Sequence, residues 1–241
     1  MDTEYTPLPW PRPFTSALNK REAILVLLYL PIHAVALQWL LSGFVERGTL
    51  TAGSANLVYY AVGFGYMLLA AFGFLRRDYD ALADRPLRCI AEVLMNYGLM
   101  LALNMLVGSL LLLILPEQQN PNNQALMQAA SQESRAVMAT VTYLAPLTEE
   151  MMFRAGIFGL LRQKSRAAAY AVSVLVFSLY HVLPYAVQDP VYWIYLIQYL
   201  PASFLLARCY ERSNSIWCST FFHMLVNGVS FSALQALEEL M

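Results

Sequence analysis

The chain has 241 residues, of which 59% are hydrophobic and only 13% are charged, and its formal net charge is −1. This balance is unlike that of soluble globular domains and indicates an integral membrane protein. The chain has no run of basic residues, which argues against nucleic-acid binding and against a polybasic lipid-binding patch. We therefore expect an all-α, polytopic helix bundle whose surroundings are the lipid bilayer.

The N-terminal residues 1–21 are polar and rich in proline, and we expect them to form a cytoplasmic segment. The apolar run that follows has no small-residue cleavage site, which predicts a retained first span and not a signal peptide. A helix needs about 20 apolar residues to cross the hydrocarbon core. Seven stretches of the chain satisfy this requirement, at roughly 22–45, 55–75, 89–115, 135–161, 167–187, 191–208 and 214–236.

These spans divide the chain into three parts. After residues 1–21, residues 22–134 hold three N-terminal spans and their loops, and residues 135–236 hold a second set of spans that carries the notable polar residues. The polar stretch 116–134 between the third and fourth spans is predicted to be a loop or a short interfacial helix.

Basic residues in the connecting loops predict the orientation. With a cytoplasmic N-terminus, the cytoplasmic side holds twelve of the 15 Lys and Arg residues: Arg12, Lys20, Arg21, Arg76, Arg77, Arg85, Arg88, Arg162, Lys164, Arg166, Arg208 and Arg212. The opposite side holds Arg47 and Arg135, and Arg154 lies within a span. Because basic loops stay in the cytoplasm, we expect seven spans with the N-terminus inside and the C-terminus outside.

Prolines and cysteines lead to two further expectations. Four prolines inside or at the ends of spans are predicted to kink their helices: Pro31, Pro146, Pro184 and Pro201. The three cysteines Cys89, Cys209 and Cys218 form no CxxC pair and no even-numbered framework. We expect them to be reduced, small apolar side chains and not parts of a disulfide or a metal site.

Ionisable side chains inside spans are few, and each costs about 2.5 to 3.5 kcal/mol to insert, so they usually face the bundle interior and indicate a functional site. The fourth, fifth and seventh spans carry them, together with one asparagine: Glu149, Glu150, Arg154, His181, His223 and Asn227. The remaining histidine, His33 in the first span, has no such neighbours in sequence, and we interpret it as a packing or interfacial residue.

Depth along the helices predicts that these polar groups meet. With a rise of about 1.5 Å per residue, Glu149, His181, His223 and Asn227 lie about 17 to 22 Å from the nearest cytoplasmic basic residue of their own helix. Three helices that alternate in direction thus bring their polar groups to a similar level. We therefore predict one convergent site near or beyond the membrane midplane.

Spacing assigns the residues to helix faces. His223 and Asn227 lie four residues apart and share a face, and Glu150 and Arg154 have the same spacing in the orientation that favours an ion pair. Adjacent helical residues diverge by about 100°, so Glu149 points to another face. Glu150 and Arg154 are thus predicted to be supporting residues, whereas Glu149 stays free for another partner.

These side chains suit amide hydrolysis. A buried carboxylate and a histidine can hold and deprotonate water, while a second histidine and an amide can donate hydrogen bonds to an oxyanion. The same four residues, Glu149, His181, His223 and Asn227, could instead bind a metal such as zinc, so either zinc or no cofactor remains possible.

Three motifs in this order also resemble a known family. "EEMMFR" matches an EExxxR pattern, "FSLYH" matches FxxxH and "HMLVN" matches HxxxN, and together they cover roughly residues 135–235. They resemble the CAAX-protease and bacteriocin-processing (CPBP) family of intramembrane endopeptidases, which are often labelled Abi proteins in bacteria.

The resemblance implies specific roles and a location. Glu149 and His181 would activate water, His223 and Asn227 would form the oxyanion hole, and residues 135–236 would be the catalytic core. Family members have been described both as metalloproteases and as metal-independent glutamate proteases. The implied partner is a peptide or membrane-protein substrate, and the implied location is a bacterial cell membrane. The oligomeric state and the substrate's identity are left open.

Two non-enzymatic functions fit the same residues. One is a membrane scaffold or immunity protein in which the buried charges only set helix packing. The other is a small proton-coupled transporter that uses them as a relay, although the chain shows no internal repeat of the kind that many transporters have.

Overall fold

The structure is a computed structural model that describes residues 14–115 and 119–240. Throughout these ranges the chain is helical or connecting, without a strand, which confirms the all-α prediction. Residues 1–13 of the predicted N-terminal segment, with Arg12, lie outside the described residues. The helices are α1 (Lys20–Glu46), α2 (Ala52–Ala70), α3 (Phe72–Ala83), α4 (Pro86–Ile114), α5 (121–162), α6 (Arg166–Ala186), α7 (Pro190–Ser213) and α8 (Ile216–Leu240).

Side-chain caps determine where several helices begin. Asn19 and Glu22 form a reciprocal capping box at the start of α1, and Thr51 and Ser165 cap α2 and α6. The start of α8 is capped from another helix, because the Asp78 carboxylate of α3 accepts a 2.8 Å hydrogen bond from the Ile216 backbone N–H. That contact fixes α3 against the beginning of α8.

Two of the four prolines lie beside locally widened helical turns. Pro31 is followed by a π-helical stretch, Ile32–Leu37, and Pro146 is preceded by another, Thr140–Leu144. A proline has no N–H to donate and its ring displaces the carbonyl four residues earlier, so wider turns form beside it. In α5 a third π-helical stretch, Met151–Phe158, contains Arg154, and the backbone breaks at Glu133. Of the two predicted alternatives for 116–134, a helix is present as the first part of α5, before the break, and its interfacial position stays a prediction.

The structure does not confirm the predicted number of membrane spans. In the described part of the chain, α1, α4, α6 and α7 are long and apolar enough to cross a membrane, and α2 with α3 makes at most a fifth span, bent by 82°. The predicted spans 135–161 and 214–236 lie within α5 and α8, which are not among these candidates. Both helices carry polar side chains toward the interior. Seven spans and the N-in orientation stay predictions.

Helix α5 is central in the bundle. It packs against α1, α2, α6 and α8, and between Ala145 and Gly156 every side chain is buried. Close approach of α2 depends on Gly63, since a Cβ added there would lie 2.7 Å from Cγ2 of Thr148. The residue that precedes the Glu149–Glu150 pair is thus packed directly against α2.

The basic helix ends gather at one end of the bundle. Glu211 near the end of α7 accepts hydrogen bonds from Arg162 at 2.5 Å and from Arg166 at 2.8 Å, which joins α5, α6 and α7. Glu92 of α4 pairs with Arg212 at 2.9 Å in the same region. We call this the basic end.

The prediction for the cysteines is wrong for two of them. The structure joins Cys89 of α4 and Cys218 of α8 in a disulfide, with their Cα atoms 5.4 Å apart, whereas Cys209 is free and buried. The pair is separated by 129 residues, so no local spacing could indicate it. Only the packing of α4 against α8 brings the two side chains together.

Candidate functional site

Glu149, His181, His223 and Asn227 all line one cavity of about 420 Å³, between α4, α5, α6, α7 and α8, with α2 at one side. We call it the amide cavity because six amide side chains line it: Asn56, Asn104, Asn122, Asn123, Gln198 and Asn227. The structure therefore brings the four residues of the predicted site together, although their chemical roles stay predictions.

Glu149 lies at the centre of this group. Its Oε2 atom is 3.8 Å from Nε2 of His181 and 3.7 Å from Nε2 of His223, and it has no hydrogen-bond partner among the described residues. Its Oε1 atom accepts a 2.8 Å hydrogen bond from the hydroxyl of Tyr60. One carboxylate oxygen is thus anchored, and the other faces two imidazole nitrogens.

Glu150 lies on a different face from Glu149 and bridges two partners. Its Oε1 atom lies 3.4 Å from Nη1 of Arg154 and 3.0 Å from Nδ1 of His223. Arg154 is completely buried, donates to the backbone carbonyl of Ser203 at 3.2 Å and lies over the ring of Phe177 at 4.1 Å. Glu150 therefore pairs with Arg154, as the spacing predicted. It also orients His223, a contact that the spacing did not indicate.

The two histidines differ in what their Nδ1 atoms contact. In His181, Nδ1 lies 3.2 Å from the backbone carbonyl of Phe177, which can only accept, so this nitrogen carries the proton and Nε2 is free to accept. In His223, Nδ1 faces the Glu150 carboxylate. Because a carboxylate only accepts, this nitrogen carries a proton, and the ring also donates from Nε2 when it is doubly protonated.

Asn227 lies one helical turn after His223. Its side-chain nitrogen donates a 2.9 Å hydrogen bond to the backbone carbonyl of Val141, which uses one of its two N–H groups. This bond connects α8 to the π-helical stretch of α5 and fixes the amide at the wall of the cavity. The second N–H group of the same amide is available to a ligand.

Comparison with known proteins confirms the resemblance over the same part of the chain. A model of the type II CAAX prenyl endopeptidase Rce1-like family matches residues 131–229. We call residues 131–229 the Rce1-like segment. The UPF0177 protein YxdF of Lactococcus lactis subsp. lactis (strain IL1403) is 33% identical over 95 residues, which are 39% of this chain and 48% of that protein. The chain thus spans about half the length of this relative. No solved structure matches the chain significantly.

The Rce1-like segment contains all four predicted catalytic residues but not Tyr60, which belongs to α2. The sequence motifs did not indicate Tyr60 or Ser203, because each reaches the site from a helix that carries no recognised motif. Tyr60 could have been noticed only as an aromatic residue with a polar hydroxyl in the interior of an apolar span. His33 is completely buried and stacks on Tyr59 at 3.9 Å, which makes it a packing residue and not an interfacial one.

Zinc bound by Glu149, His181, His223 and Asn227 stays a prediction. Among the described residues, no group of three or more His, Cys, Asp or Glu side chains is placed to hold a metal ion as the side chains stand. The contact of Glu150 with Nδ1 of His223 leaves Nε2 of that ring facing Glu149, and metal-bound histidines usually have such a contact. We derive no chemical step through a metal.

Proposed function

We propose that this protein is an intramembrane endopeptidase of the CAAX-protease type that hydrolyses a peptide bond of a peptide or membrane-protein substrate. The observation that carries the proposal is the arrangement of two imidazole Nε2 atoms at 3.7 and 3.8 Å from one oxygen of Glu149, inside a cavity large enough for a peptide segment. The Rce1-like match supports it, because that family is described as prenyl endopeptidases.

The first step is activation of water. A water molecule between Glu149 Oε2 and Nε2 of His181 meets two acceptors, so its oxygen is directed into the cavity while its proton passes to the carboxylate. The water oxygen attacks the substrate's carbonyl carbon. Tyr60 holds the other oxygen of Glu149 throughout, which keeps the carboxylate in position.

The second step is stabilisation of charge and release of the amine. As the carbonyl oxygen becomes an oxyanion, it receives hydrogen bonds from Nε2–H of His223 and from the free N–H of Asn227. The proton on Glu149 then moves to the departing amide nitrogen, and the C–N bond breaks to give a carboxylic acid and an amine. Glu150 and Arg154 support this step, since Glu150 holds Nδ1 of His223 in place and Arg154 pairs with Glu150.

Cleavage of a quenched-fluorescent peptide library by the protein purified in detergent tests the proposal. Removing a general base usually costs a factor of about 10² to 10⁴, so Glu149→Gln and His181→Ala are expected to lose cleavage by about that factor. His33→Phe is the matched control, because His33 is buried in the same bundle but does not line the amide cavity. Equal cleavage by wild type, Glu149→Gln and His181→Ala would refute the proposed roles.

A further inference from the structure

Helix α3 lies across the direction of its neighbour α2. It begins one residue after α2 ends and is bent from it by 82°. By itself α2 has 19 residues, which is about 28 Å at the helical rise and close to the hydrocarbon thickness of about 30 Å. A helix that turns by 82° at the end of such a span runs nearly parallel to the membrane surface, where amphipathic helices bind.

The two faces of α3 differ in character. Its inner face is buried and consists of Phe74, Leu75 and Asp78. Its outer face exposes one stripe with helical spacing, in which Arg76 lies between the rings of Phe72 and Tyr79. The two rings are 63% and 54% exposed, so neither is packed into the bundle. Exposed aromatic rings beside a basic side chain are typical of helices at the level of the lipid headgroups.

Contacts to α8 hold the inner face in place. The Asp78 carboxylate accepts hydrogen bonds from the hydroxyl of Ser215 at 2.7 Å and from the backbone N–H of Ile216 at 2.8 Å. The indole N–H of Trp217 donates to the backbone carbonyl of Leu75 at 2.9 Å. The outer stripe is therefore presented on a fixed helix, and a ligand that binds it does not have to order that helix first.

Exposed cations surround the stripe, although the sequence has no run of basic residues. Four of them pair with no carboxylate of a described residue: Lys20, Arg21, Arg76 and Arg85. The ion pair between Glu22 and Arg77, at 3.0 Å, joins the start of α1 to α3. The residue before α4, Arg85, follows the end of α3 by two positions. The fold therefore gathers cations from three helix ends around one surface.

The exposed acids of this region lie beside the stripe and not on it. Asp80 and Asp84 continue the line of Arg77, three and seven residues after it. Glu22 is already paired with Arg77, and Asp78 is buried. The four unpaired cations thus outnumber the two exposed carboxylates, and the surface is complementary to an anion. Because aromatic rings flank Arg76, the ligand that matches the whole stripe carries both a negative charge and apolar chains.

We infer that α3 is an interfacial helix whose outer stripe binds the headgroup of an anionic phospholipid. Arg76 contacts the phosphate, the other three cations surround it, and the rings of Phe72 and Tyr79 lie at the boundary with the acyl chains. This inference depends neither on the proposed peptidase function nor on which side of the membrane the basic end faces. It replaces the expectation that the chain has no basic lipid-binding patch, since that expectation considered only runs of residues along the sequence.

Lipid binding in a neutral detergent tests the inference. The delipidated full-length chain is titrated with phosphatidylglycerol or with zwitterionic phosphatidylcholine, and bound lipid is counted by native mass spectrometry. The variants are Arg76→Gln and the double variant Arg76→Gln with Arg85→Gln. Lys164→Gln is the matched control, because it removes an exposed cation from the connection between α5 and α6 at the same basic end.

The wild-type chain is expected to bind its first phosphatidylglycerol at least about fivefold more tightly than phosphatidylcholine, because one basic side chain near an anionic lipid surface contributes about that factor. Arg76→Gln should weaken phosphatidylglycerol binding by about fivefold and the double variant by about twentyfold, with phosphatidylcholine binding unchanged. Lys164→Gln should bind both lipids as the wild type does. Equal binding of the two lipids by the wild type, or unchanged phosphatidylglycerol binding by the double variant, would overturn the inference.

A soluble headgroup distinguishes a lipid from a free phosphate ester. Glycerol phosphate has the negative charge without the acyl chains. We expect it to displace phosphatidylglycerol only at a concentration at least about a hundredfold higher, because buried CH₂ groups add to the binding of a lipid. Displacement at equal concentration would identify a soluble phosphate ester as the ligand and overturn the inference.

Spin labels test where α3 lies in the membrane. Phe72→Cys, Tyr79→Cys and the control Lys164→Cys are each labelled with a nitroxide in phosphatidylglycerol vesicles. The native Cys209 is buried and the other two cysteines form the disulfide, so the introduced thiol takes the label. Labels at the two α3 positions should be more accessible to oxygen than to a water-soluble nickel chelate, and the label at position 164 should show the reverse. Equal access of the nickel chelate to all three labels would place α3 in water and overturn the inference.

Discussion

The hydrogen bond from Tyr60 to Glu149 provides the sharpest test of the site, because it comes from a helix outside the Rce1-like segment. In Tyr60→Phe the ring remains and only the donated O–H is removed. That bond is 2.8 Å long and reaches Oε1 of Glu149, whereas Oε2 has no hydrogen-bond partner in the described residues. A hydrogen bond to a charged group contributes about 1.5 to 3 kcal/mol. If this energy holds the carboxylate in its reactive position, kcat/KM should fall by about tenfold to a hundredfold.

The assay compares peptide cleavage and thermal unfolding in the same detergent. Tyr59→Phe is the matched control, since its hydroxyl bonds Tyr180 at 3.0 Å and does not reach Glu149. We expect Tyr60→Phe to lose cleavage with almost no change in Tm, whereas Tyr59→Phe keeps its rate. Full activity of Tyr60→Phe, or an equal loss in both variants, would show that the tyrosine does not position the carboxylate.

Three more predictions follow from the packing and charge around the site. Gly63→Val should destabilise the protein by about 1 to 3 kcal/mol and reduce cleavage, because the new side chain collides with Thr148. Gly65→Val has open space around it and should do neither, so equal Tm values for the two variants would contradict this prediction. Glu150→Gln should lower the free energy of unfolding by about 3 to 5 kcal/mol, and Tm with it, because Arg154 stays buried without its counter-charge. The double variant Glu150→Leu with Arg154→Met should recover much of the loss, and a double variant as unstable as the single one would refute this explanation. Cleavage should continue at the same rate after a chelator has removed any zinc, with elemental analysis to verify the removal. Loss of cleavage in the chelator and its recovery on adding zinc would contradict the mechanism.

Local patterns in the chain determine much of this protein. Continuous apolar stretches of about 20 residues indicate helices that satisfy their own backbone hydrogen bonds, so an all-α bundle follows from the sequence. The spacing of Glu150 and Arg154 gives their ion pair, and the neighbouring position of Glu149 directs it elsewhere. Counting residues from the basic helix ends predicts that Glu149, His181 and His223 lie at similar depth, and these three side chains do meet, although π-helical turns in α5 change its rise locally.

Tertiary packing alone decided the remaining features, because they depend on helices that are distant in sequence. The disulfide between Cys89 and Cys218 and the hydrogen bond from Tyr60 to Glu149 each join residues that are far apart in the chain. The contact of His223 with Glu150 depends on how α8 is rotated against α5, which no spacing within either helix defines. Sequence periodicity shows which face of a helix is polar, but the partner of each polar atom is determined by how the helices pack against one another.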